Sequence, residues 1–279
     1  MAARSIIDEF NSTGYLIIDL DIPNFAELAE GVISDLAPVY DHNNRIENAW
    51  RRSPGARYLA VLPKILNVLE ELYGRPAFPF QTLNFNKGTE QAAHSDTIHF
   101  DSKPAGFMAG VWVALEDIDA GNGPLRYYPG SQLLPQLTLK DAGIDRIGKN
   151  DPYQLYRTAY EPMIARVIED HNLRPQEAHL KRGQALIWSA NILHGGSPII
   201  QEGRSRHSQV THYYFDGCSY HTPLLSDDER GIYRRYPVDI RTGRNVAGEE
   251  DGRPLRVPTA QRLKSWTKTW LRRGTKYQR

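Results

Sequence analysis

Hydrophobic residues recur at helical spacing near the start of the chain and form short, separate runs in the rest of it. The spacing predicts amphipathic helices over residues 5–10, 24–36 and 61–73, with a strand over residues 14–18. From Phe78 onward the runs are rich in aromatic and β-branched residues, which is typical of strands. These predicted strands cover residues 80–85, 107–115, 125–128, 184–188 and 208–215. Helices followed by regularly spaced strands indicate an α+β, mainly β protein, built on a sandwich or barrel with supporting N-terminal helices.

A helical pattern over residues 151–172 interrupts the strands, and no linker rich in proline, glycine or serine divides the chain. We therefore expect one domain over residues 1–279, with residues 132–180 forming a helical insertion over one rim of the barrel. In the C-terminal tail, residues 253–279, Leu263, Trp266 and Trp270 recur at helical spacing, which predicts a basic helix. This helix would either pack on the body or on a second subunit of a homo-oligomer, or contact an anionic surface.

The composition of the 279 residues, 40% hydrophobic and 24% charged, is that of a soluble globular protein. A single cysteine, Cys218, excludes an intrachain disulfide and suits a reducing compartment. Because the sequence shows neither a basic leader with a long apolar run nor a stretch of about 20 apolar residues, we expect a cytoplasmic protein without a transmembrane segment.

The formal net charge of +1 conceals an uneven distribution of charge along the chain. Nine Lys and Arg and no acidic residue fall in residues 253–279, which leaves 25 basic and 33 acidic side chains, a net charge of −8, for residues 1–252. A nucleic-acid-binding domain would instead spread positive charge over one face. We therefore expect no nucleic-acid partner.

Three residues have the chemistry of a metal site. His94 and Asp96 lie two positions apart in a stretch that we interpret as extended, so their side chains would share one face. His194 ends an apolar strand and is followed by two glycines, where the backbone can turn tightly. Two histidines and one carboxylate form the facial triad of non-haem Fe(II), and the same set also binds catalytic Zn²⁺. Each residue taken alone is equally compatible with a structural role.

Arg206 and Ser208 follow His194 at the start of the next apolar run. The planar guanidinium of arginine binds carboxylates through two parallel hydrogen bonds, and a serine two positions along a strand adds a hydroxyl on the same face. This pair suits the distal carboxylate of a dicarboxylic cosubstrate. Arg204 is the competing candidate, and either arginine could equally be a surface residue in a turn.

The motifs, taken together and in order, resemble the phytanoyl-CoA dioxygenase family of Fe(II)/2-oxoglutarate oxygenases. The motifs that carry the resemblance are His94-Ser95-Asp96, residues 111–117, residues 122–125, Pro129-Gly130-Ser131, His194-Gly195 and Arg206 with Ser208. The resemblance implies a double-stranded β-helix, the jelly-roll or cupin-like barrel. It further implies that His94, Asp96 and His194 bind Fe(II), that Arg206 and Ser208 hold 2-oxoglutarate, and that Trp112 and Asn84 line the cosubstrate pocket.

Two features depart from this pattern or compete with it. The family usually has a histidine after Pro-Gly-Ser, and Gln132 stands there in this sequence. His99-Phe100-Asp101 is a second His-x-Asp triplet, but the register against the preceding strand and Trp112 favours His94 and Asp96.

The resemblance implies an enzyme that uses O2 and 2-oxoglutarate to hydroxylate an unactivated C–H bond of a small metabolite or acyl substrate, with release of succinate and CO2. Desaturation, epimerisation and cyclisation use the same ligands and stay open. A zinc hydrolase would use the same three metal ligands, and a barrel that only binds or senses a small molecule would have the same strands. We expect Gln81, His99, Arg126 and Tyr128 to line the mouth of the barrel and to contact the substrate.

Overall fold

The computed structural model describes residues 5–40 and 44–259, which form helices packed on a β-barrel. The helices are α1 (Ile6–Thr13), α2 (Phe25–Leu36), α3 (Pro54–Ala60), α4 (Pro63–Tyr73), α5 (Pro152–Leu155) and α6 (Glu161–Asp170), and a π turn, Tyr156–Tyr160, joins α5 to α6. The first ten strands are β1 (Tyr15–Asp19), β2 (Arg45–Glu47), β3 (Ala77–Phe85), β4 (Asp101–Lys103), β5 (Met108–Ala114), β6 (Leu125–Tyr127), β7 (Gln176–Glu177), β8 (Gln184–Ser189), β9 (His194–Gly196) and β10 (Ser208–Phe215). The remaining strands are short: β11 (Ser219–His221), β12 (Arg234–Arg235), β13 (Val238–Asp239), β14 (Arg244–Asn245), β15 (Glu249–Glu250) and β16 (Arg253–Pro254).

Two antiparallel sheets form the barrel. The larger sheet has the strand order β1-β8-β5-β10-β3-β2, and a three-stranded sheet, β7-β6-β9, lies across the interior from it. A second three-stranded sheet, β12-β11-β4, extends the wall. Trp112 and Val210 of the large sheet pack with Leu125 and Tyr127 of the small sheet in one buried cluster. This arrangement agrees with the jelly-roll barrel expected from the sequence.

Strand β5 contributes side chains to two hydrophobic cores, one on each face of the large sheet. Because side chains alternate along a strand, Val111 and Val113 face the helices outside the barrel, while Trp112 and Ala114 face its interior. Helices α1 to α4 cover the outer face and contribute buried residues such as Leu36, Leu59 and Leu69. Both faces of β5 are therefore covered, which explains why its sequence is an unbroken apolar run.

The predicted elements up to Phe215 are present, with changed ends, and helix α3 and the short strands β2, β4, β7 and β9 are additions. This helix begins at Pro54, and the Ser53 hydroxyl accepts a hydrogen bond from the Ala56 amide. It is only seven residues long and its buried face includes Ala56 and Ala60, so its apolar pattern is weak. The short strands that follow Phe215 were not predicted either, because two or three residues are too few to show a period.

The helical pattern over residues 151–172 corresponds to α5, the π turn and α6 over residues 152–170, where Tyr160 and Ile164 pack in one cluster with Ile98 and Leu193 beside the barrel. The rest of the predicted insertion, residues 132–180, is mostly loop. At the start of the predicted tail helix, residues 253–279, Arg253–Pro254 form strand β16 paired with β15 instead. Residues 260–279, which contain the rest of that prediction, lie outside the described residues. In the described part of the chain, no helix combines the length and the hydrophobicity needed to span a bilayer.

Candidate active site

A cavity of about 310 Å³ opens between the two sheets and contains most of the residues singled out from the sequence. Its wall includes His94, Asp96, His194 and Arg206. Trp112 also lines it, as do Gln81 and His99.

The backbone brings His94 and His194 together, although they are far apart in sequence. The His94 amide donates to the His194 carbonyl, and the His194 amide donates to the His94 carbonyl, both at 2.9 Å. Gly195 allows this approach, since a Cβ atom there would lie 2.7 Å from the Gln91 carbonyl oxygen. The glycines after His194 thus serve close packing of two segments rather than the tight turn expected from the sequence.

Asp96 completes a three-residue group that could hold a metal ion. Its Oδ1 atom lies 3.8 Å from Nε2 of His94 and 3.8 Å from Nε2 of His194. One potential ligand atom from each of the three residues lies within 4.8 Å of the others, and the described residues contain no second group of this kind. All three side chains are buried.

Both histidines are held with the same nitrogen facing Asp96. Nδ1 of His94 lies 3.0 Å from the Ala92 carbonyl oxygen, and Nδ1 of His194 lies 3.1 Å from the Ile192 carbonyl oxygen. A carbonyl oxygen can only accept, so each Nδ1 carries the proton and donates it. In the tautomer that these contacts favour, Nε2 is the nitrogen free to bind a metal.

The conformation at Asp96 differs from the one predicted. Ser95 is extended, but Asp96 begins a 3₁₀ turn over Asp96–Ile98, and the Ser95 hydroxyl accepts a hydrogen bond from the Thr97 amide. The two side chains converge because of this turn and because the bridge to His194 fixes the backbone of His94, not because of strand alternation.

Trp188 fixes the other carboxylate oxygen of Asp96. The indole Nε1 of Trp188 donates to Asp96 Oδ2 at 2.8 Å, which leaves Oδ1 directed at the two imidazoles. Trp188 lies opposite Gly110 in the β5–β8 register, and a Cβ atom on Gly110 would lie 2.1 Å from the indole. The glycine therefore gives the indole the space that it occupies beside Asp96.

The charges in this group match those needed for a divalent cation. Burial, followed by repulsion from His194, lowers the pKa of His94 to about 3, so the ring is neutral at pH 7. Burial opposes ionisation of Asp96, but the nearby His194, His212 and His94 outweigh it and hold the pKa of Asp96 below its ordinary value. A neutral His94 and an ionised Asp96 are the deprotonated forms that metal binding requires.

Arg206 is buried in the same cavity, and among residues 5–40 and 44–259 it forms no ion pair with an acidic side chain. Its Nη1 atom donates to the Gly123 carbonyl at 2.8 Å, while Nε is buried and has no hydrogen-bond partner. The guanidinium carbon lies 5.4 Å from the Trp112 ring centroid and 5.8 Å from that of Phe85. Burial lowers the pKa of Arg206 to about 10, which still leaves it charged at pH 7. An orphaned buried N–H on a charged group fits a bound carboxylate.

Arg204, the competing candidate, lies at the surface, where its Nη1 atom is 2.7 Å from Asp119 Oδ1. Ser208 is fully buried, and its hydroxyl lies 3.5 Å from the Arg206 carbonyl oxygen, so the hydroxyl is not part of the cavity wall.

Three predicted pocket residues point elsewhere. Asn84 donates from Nδ2 to Gln209 Oε1, on the sheet face that packs against α3, because its neighbours Leu83 and Phe85 take the inward positions of β3. On β6, Leu125 takes the inward position, which excludes the adjacent Arg126 from the cavity wall. Tyr128 is buried in a separate cluster with Leu193 and Tyr160.

The second His-x-Asp triplet is divided between two environments. His99 lines the cavity, whereas the Asp101 carboxylate accepts a hydrogen bond from the Ser102 amide at 2.8 Å and lies 3.5 Å from His221 Nε2. These two side chains therefore do not converge on one point.

Sequence reasoning missed His212, Trp188 and Arg235, all of which line the cavity. His212 Nε2 lies 3.6 Å from Asp96 Oδ2, and its Nδ1 lies 3.0 Å from Gln81 Oε1. Alternation along β10 could have identified His212, since it is two positions after the inward-facing Val210. No sequence signal indicates Trp188 or Arg235, because tertiary packing alone brings them to the site.

Comparison with known proteins finds a family match. The sequence model of the family described as Phytanoyl-CoA dioxygenase (PhyH) matches residues 26–208. The matched region is well over half of the chain and contains His94, Asp96, His194 and Arg206.

Several solved structures have the same fold. The non-haem alpha-ketoglutarate-dependent epimerase SnoN from nogalamycin biosynthesis is 18% identical, with a TM-score of 0.61 over 90% of this chain and 94% of that chain. The corresponding carbocyclase SnoK is 16% identical, with a TM-score of 0.62 over 90% and 93%. EctD from S. alaskensis, solved with 2-oxoglutarate and 5-hydroxyectoine, is 19% identical, with a TM-score of 0.61 over 90% and 86%. At these identities the likeness concerns the fold, and it confirms the predicted jelly-roll barrel.

One curated relative, described as a D-alanine–D-alanine ligase of Marinobacter nauticus, is 28% identical over 134 residues. The match covers 48% of this chain but only 37% of that relative. The ligase activity in that description belongs to the relative, and this partial match transfers no activity to this chain.

The buried histidines predict how stability changes with pH in the metal-free protein. Burial lowers the pKa of His99 to about 4, whereas an unfolded histidine titrates near 6.5. Between pH 6 and 4.5 the unfolded chain therefore binds more protons, and the free energy of unfolding falls as the pH is lowered, by about 1.4 kcal/mol per pH unit for each such histidine. In urea titrations with a chelator present, His99→Gln should make this decline shallower by that amount. An unchanged slope would contradict the lowered pKa assigned to His99.

Proposed function

Because the chain belongs to the phytanoyl-CoA dioxygenase family, we propose that it hydroxylates an unactivated C–H bond of a small metabolite, using the residues around the cavity. Family membership confirms the resemblance seen in the sequence and the predicted dependence on Fe(II) and 2-oxoglutarate. The assignment of individual residues and the hydroxylation outcome are our proposals.

The observation that carries the proposal is the meeting of His94, Asp96 and His194 at one point, in the same cavity as Arg206. The donor set of two imidazoles and one carboxylate fits Fe(II) and leaves coordination positions open. The buried, unpartnered Nε of Arg206 fits the distal carboxylate of 2-oxoglutarate. A zinc hydrolase would also use the two histidines and the carboxylate as metal ligands, but its reaction would not require a buried arginine that binds a carboxylate.

The bound cofactors would supply O2 activation coupled to oxidative decarboxylation of 2-oxoglutarate to succinate and CO2, with one oxygen atom transferred to the substrate. The protein provides binding, orientation and exclusion of water. Arg206 fixes the cosubstrate, with the Trp112 and Phe85 rings beside its guanidinium. Trp188 keeps Asp96 in one orientation, and the Ala92 and Ile192 carbonyls keep the two imidazoles in one tautomer.

Hydroxylation is the outcome that we propose, because Asp96 supplies a carboxylate ligand at the position that a halogenating relative would leave open for chloride. The solved relatives described as an epimerase and a carbocyclase share the fold, so the product must be identified directly. The cavity volume of about 310 Å³ lies at the lower end of the range for ligand pockets, which favours a small metabolite over a bulky acyl thioester. A substrate screen by succinate formation, followed by mass spectrometry, should detect a product that has gained one oxygen atom. A product with unchanged mass, or one that has lost two hydrogens, would contradict hydroxylation.

Loss of any proposed metal ligand should abolish turnover. His94→Ala, Asp96→Ala and His194→Ala should each reduce bound iron to background and stop succinate formation, because one of only three protein ligands is lost. His99→Ala and Asp101→Ala are the matched controls and should keep their iron, measured by elemental analysis after reconstitution. Iron loss in this second pair but not in the first would move the site five residues along the chain.

Removal of Arg206 should weaken the binding of 2-oxoglutarate. A charge-assisted hydrogen bond contributes about 1.5 to 3 kcal/mol, so Arg206→Ala should raise the 2-oxoglutarate concentration for half-maximal succinate formation about 10- to 150-fold. Arg204→Ala should have little effect, because Arg204 pairs with Asp119 at the surface. Equal effects of the two substitutions would refute the assignment.

Replacement of the indole that holds Asp96 should weaken metal binding without removing a ligand. Outer hydrogen-bond partners of metal ligands commonly change affinity 10- to 100-fold, so Trp188→Phe should lower Fe(II) affinity about tenfold or more. Trp112→Phe, a similar change in the same cavity, should leave Fe(II) affinity unchanged in anaerobic titrations. Loss of affinity in both variants alike would indicate general disruption of the barrel.

A further inference from the structure

A second arginine, Arg235 on β12, lines the active-site cavity, and the proposed chemistry does not use it. Its Nη1 atom donates to the Thr222 hydroxyl at 3.0 Å, while its Nε atom is buried and has no hydrogen-bond partner. The guanidinium carbon lies 4.8 Å from the ring centroid of Phe100 and 5.9 Å from that of Phe80.

Arg235 repeats the features that identify Arg206 as a carboxylate site. In both residues the guanidinium donates only to neutral oxygens, two carbonyls for Arg206 and one hydroxyl for Arg235. In both, two aromatic rings lie close to the guanidinium, and Nε is buried and has no hydrogen-bond partner. A charged group in such surroundings has lost part of its hydration without gaining an anionic partner. The arrangement is therefore completed by an anion from outside the chain.

Two nearby arginines, in contrast to Arg235, form ion pairs with carboxylates of the protein. Arg234, the adjacent residue on β12, lies 2.7 Å from a carboxylate oxygen of Glu250, and Arg241 lies 3.1 Å from one of Asp239. In the described part of the chain, no carboxylate oxygen lies within 4.0 Å of the Arg235 guanidinium. Among the described residues that line the cavity, the acids are Asp96 and Glu47, and Glu47 accepts a hydrogen bond from Gln81 instead.

The position of Arg235 relative to the proposed iron site suits a substrate rather than the cosubstrate. The Phe100 ring separates it from His212, with ring centroids 4.9 Å apart, and His212 Nε2 lies 3.6 Å from Asp96 Oδ2. Arg206 is placed differently, beside Trp112 and Phe85. Arg45, Arg206 and Arg235 all line the cavity, but among the described residues of its wall only Arg206 and Arg235 have a buried Nε without a hydrogen-bond partner. 2-oxoglutarate accounts for one of these two arginines.

We propose that Arg235 binds a carboxylate of the substrate, so that the enzyme acts on a small carboxylic acid whose reacting C–H lies on the far side of the Phe100 ring from its carboxylate. This inference rests on the proposed function for the identity of the reaction, but not for the binding contact itself. The planar guanidinium matches a carboxylate through two parallel hydrogen bonds, and the adjacent ring supplies an apolar surface for the carbon chain.

Matched pairs of probes test this contact. The probes are 3-phenylpropionate, hexanoate and cyclohexanecarboxylate, each with its primary amide, and phenylphosphonate is added as a different anion. Binding is measured by equilibrium dialysis against the full chain loaded with Fe(II) and excess 2-oxoglutarate in the absence of oxygen. At least one carboxylate should bind ten times more tightly than its amide, and Arg235→Ala should remove this preference. Arg234→Ala, the adjacent and ion-paired residue, should retain it.

The result that overturns the proposal is equal binding of acids and amides, or an equal loss of preference in Arg234→Ala and Arg235→Ala. Tighter binding of phenylphosphonate than of every carboxylate would overturn the carboxylate assignment. A rise in the 2-oxoglutarate requirement of Arg235→Ala as large as that of Arg206→Ala would assign Arg235 to the cosubstrate instead.

A second arm separates this inference from the proposed function. Metal-free Arg206→Ala protein, which lacks both iron and the cosubstrate arginine, should still prefer carboxylates to amides through Arg235. If iron and 2-oxoglutarate fail to bind while this preference persists, the proposed function fails and the carboxylate site stands. If they bind and no preference appears in either arm, only the inference about Arg235 fails.

Discussion

The pair of backbone hydrogen bonds between His94 and His194 is the contact on which the rest of the site depends. It joins the segment that follows β3 to strand β9 and brings two imidazoles to a ring-centroid distance of 4.5 Å. Gly195 makes the contact possible, since no side chain fits between the two segments. Asp96 follows His94 through one 3₁₀ turn, so a single local geometry determines the positions of all three potential ligands.

The same cavity combines a buried carboxylate, which suits a cation, with arginines, which suit anions. Asp96 stays ionised because the surrounding histidines and the Trp188 indole stabilise its carboxylate. Arg206 and Arg235 both line the cavity, and each has a buried Nε without a hydrogen-bond partner. Burying unpaired charged groups costs stability, and ligands of opposite charge would offset that cost when they bind. The proposed metal site and the proposed preference for a carboxylate substrate thus follow from one principle of charge compensation.

The sequence predicts the parts of this molecule that leave a local signal. The amphipathic helices and the apolar run of β5 show their periods, and His94, Asp96, His194 and Arg206 stand in recognisable motifs that the cavity brings together. Predictions about which face a strand residue occupies were less successful. The sequence does not give the register of β3 and β6, and a shift of one position moves every side chain of a strand to the opposite face of the sheet. It therefore cannot tell that Asn84 and Arg126 face away from the pocket. Trp188 and Arg235 have no local sequence signal. The Trp188 indole lies beside Asp96 because Gly110, its partner on the neighbouring strand, leaves space for it. Arg235 lies on a strand of only two residues, which is too short to show a period.

The visible absorption spectrum of the protein with Fe(II) and 2-oxoglutarate, recorded in the absence of oxygen, tests most directly whether one cavity holds both. If His94, Asp96 and His194 hold Fe(II) in the same cavity in which Arg206 holds 2-oxoglutarate, a charge-transfer band should appear only when both are added. The band should saturate at one equivalent of iron per chain. No band at saturating concentrations of both, with the protein shown to be folded, would contradict the central claim that this cavity joins iron to 2-oxoglutarate.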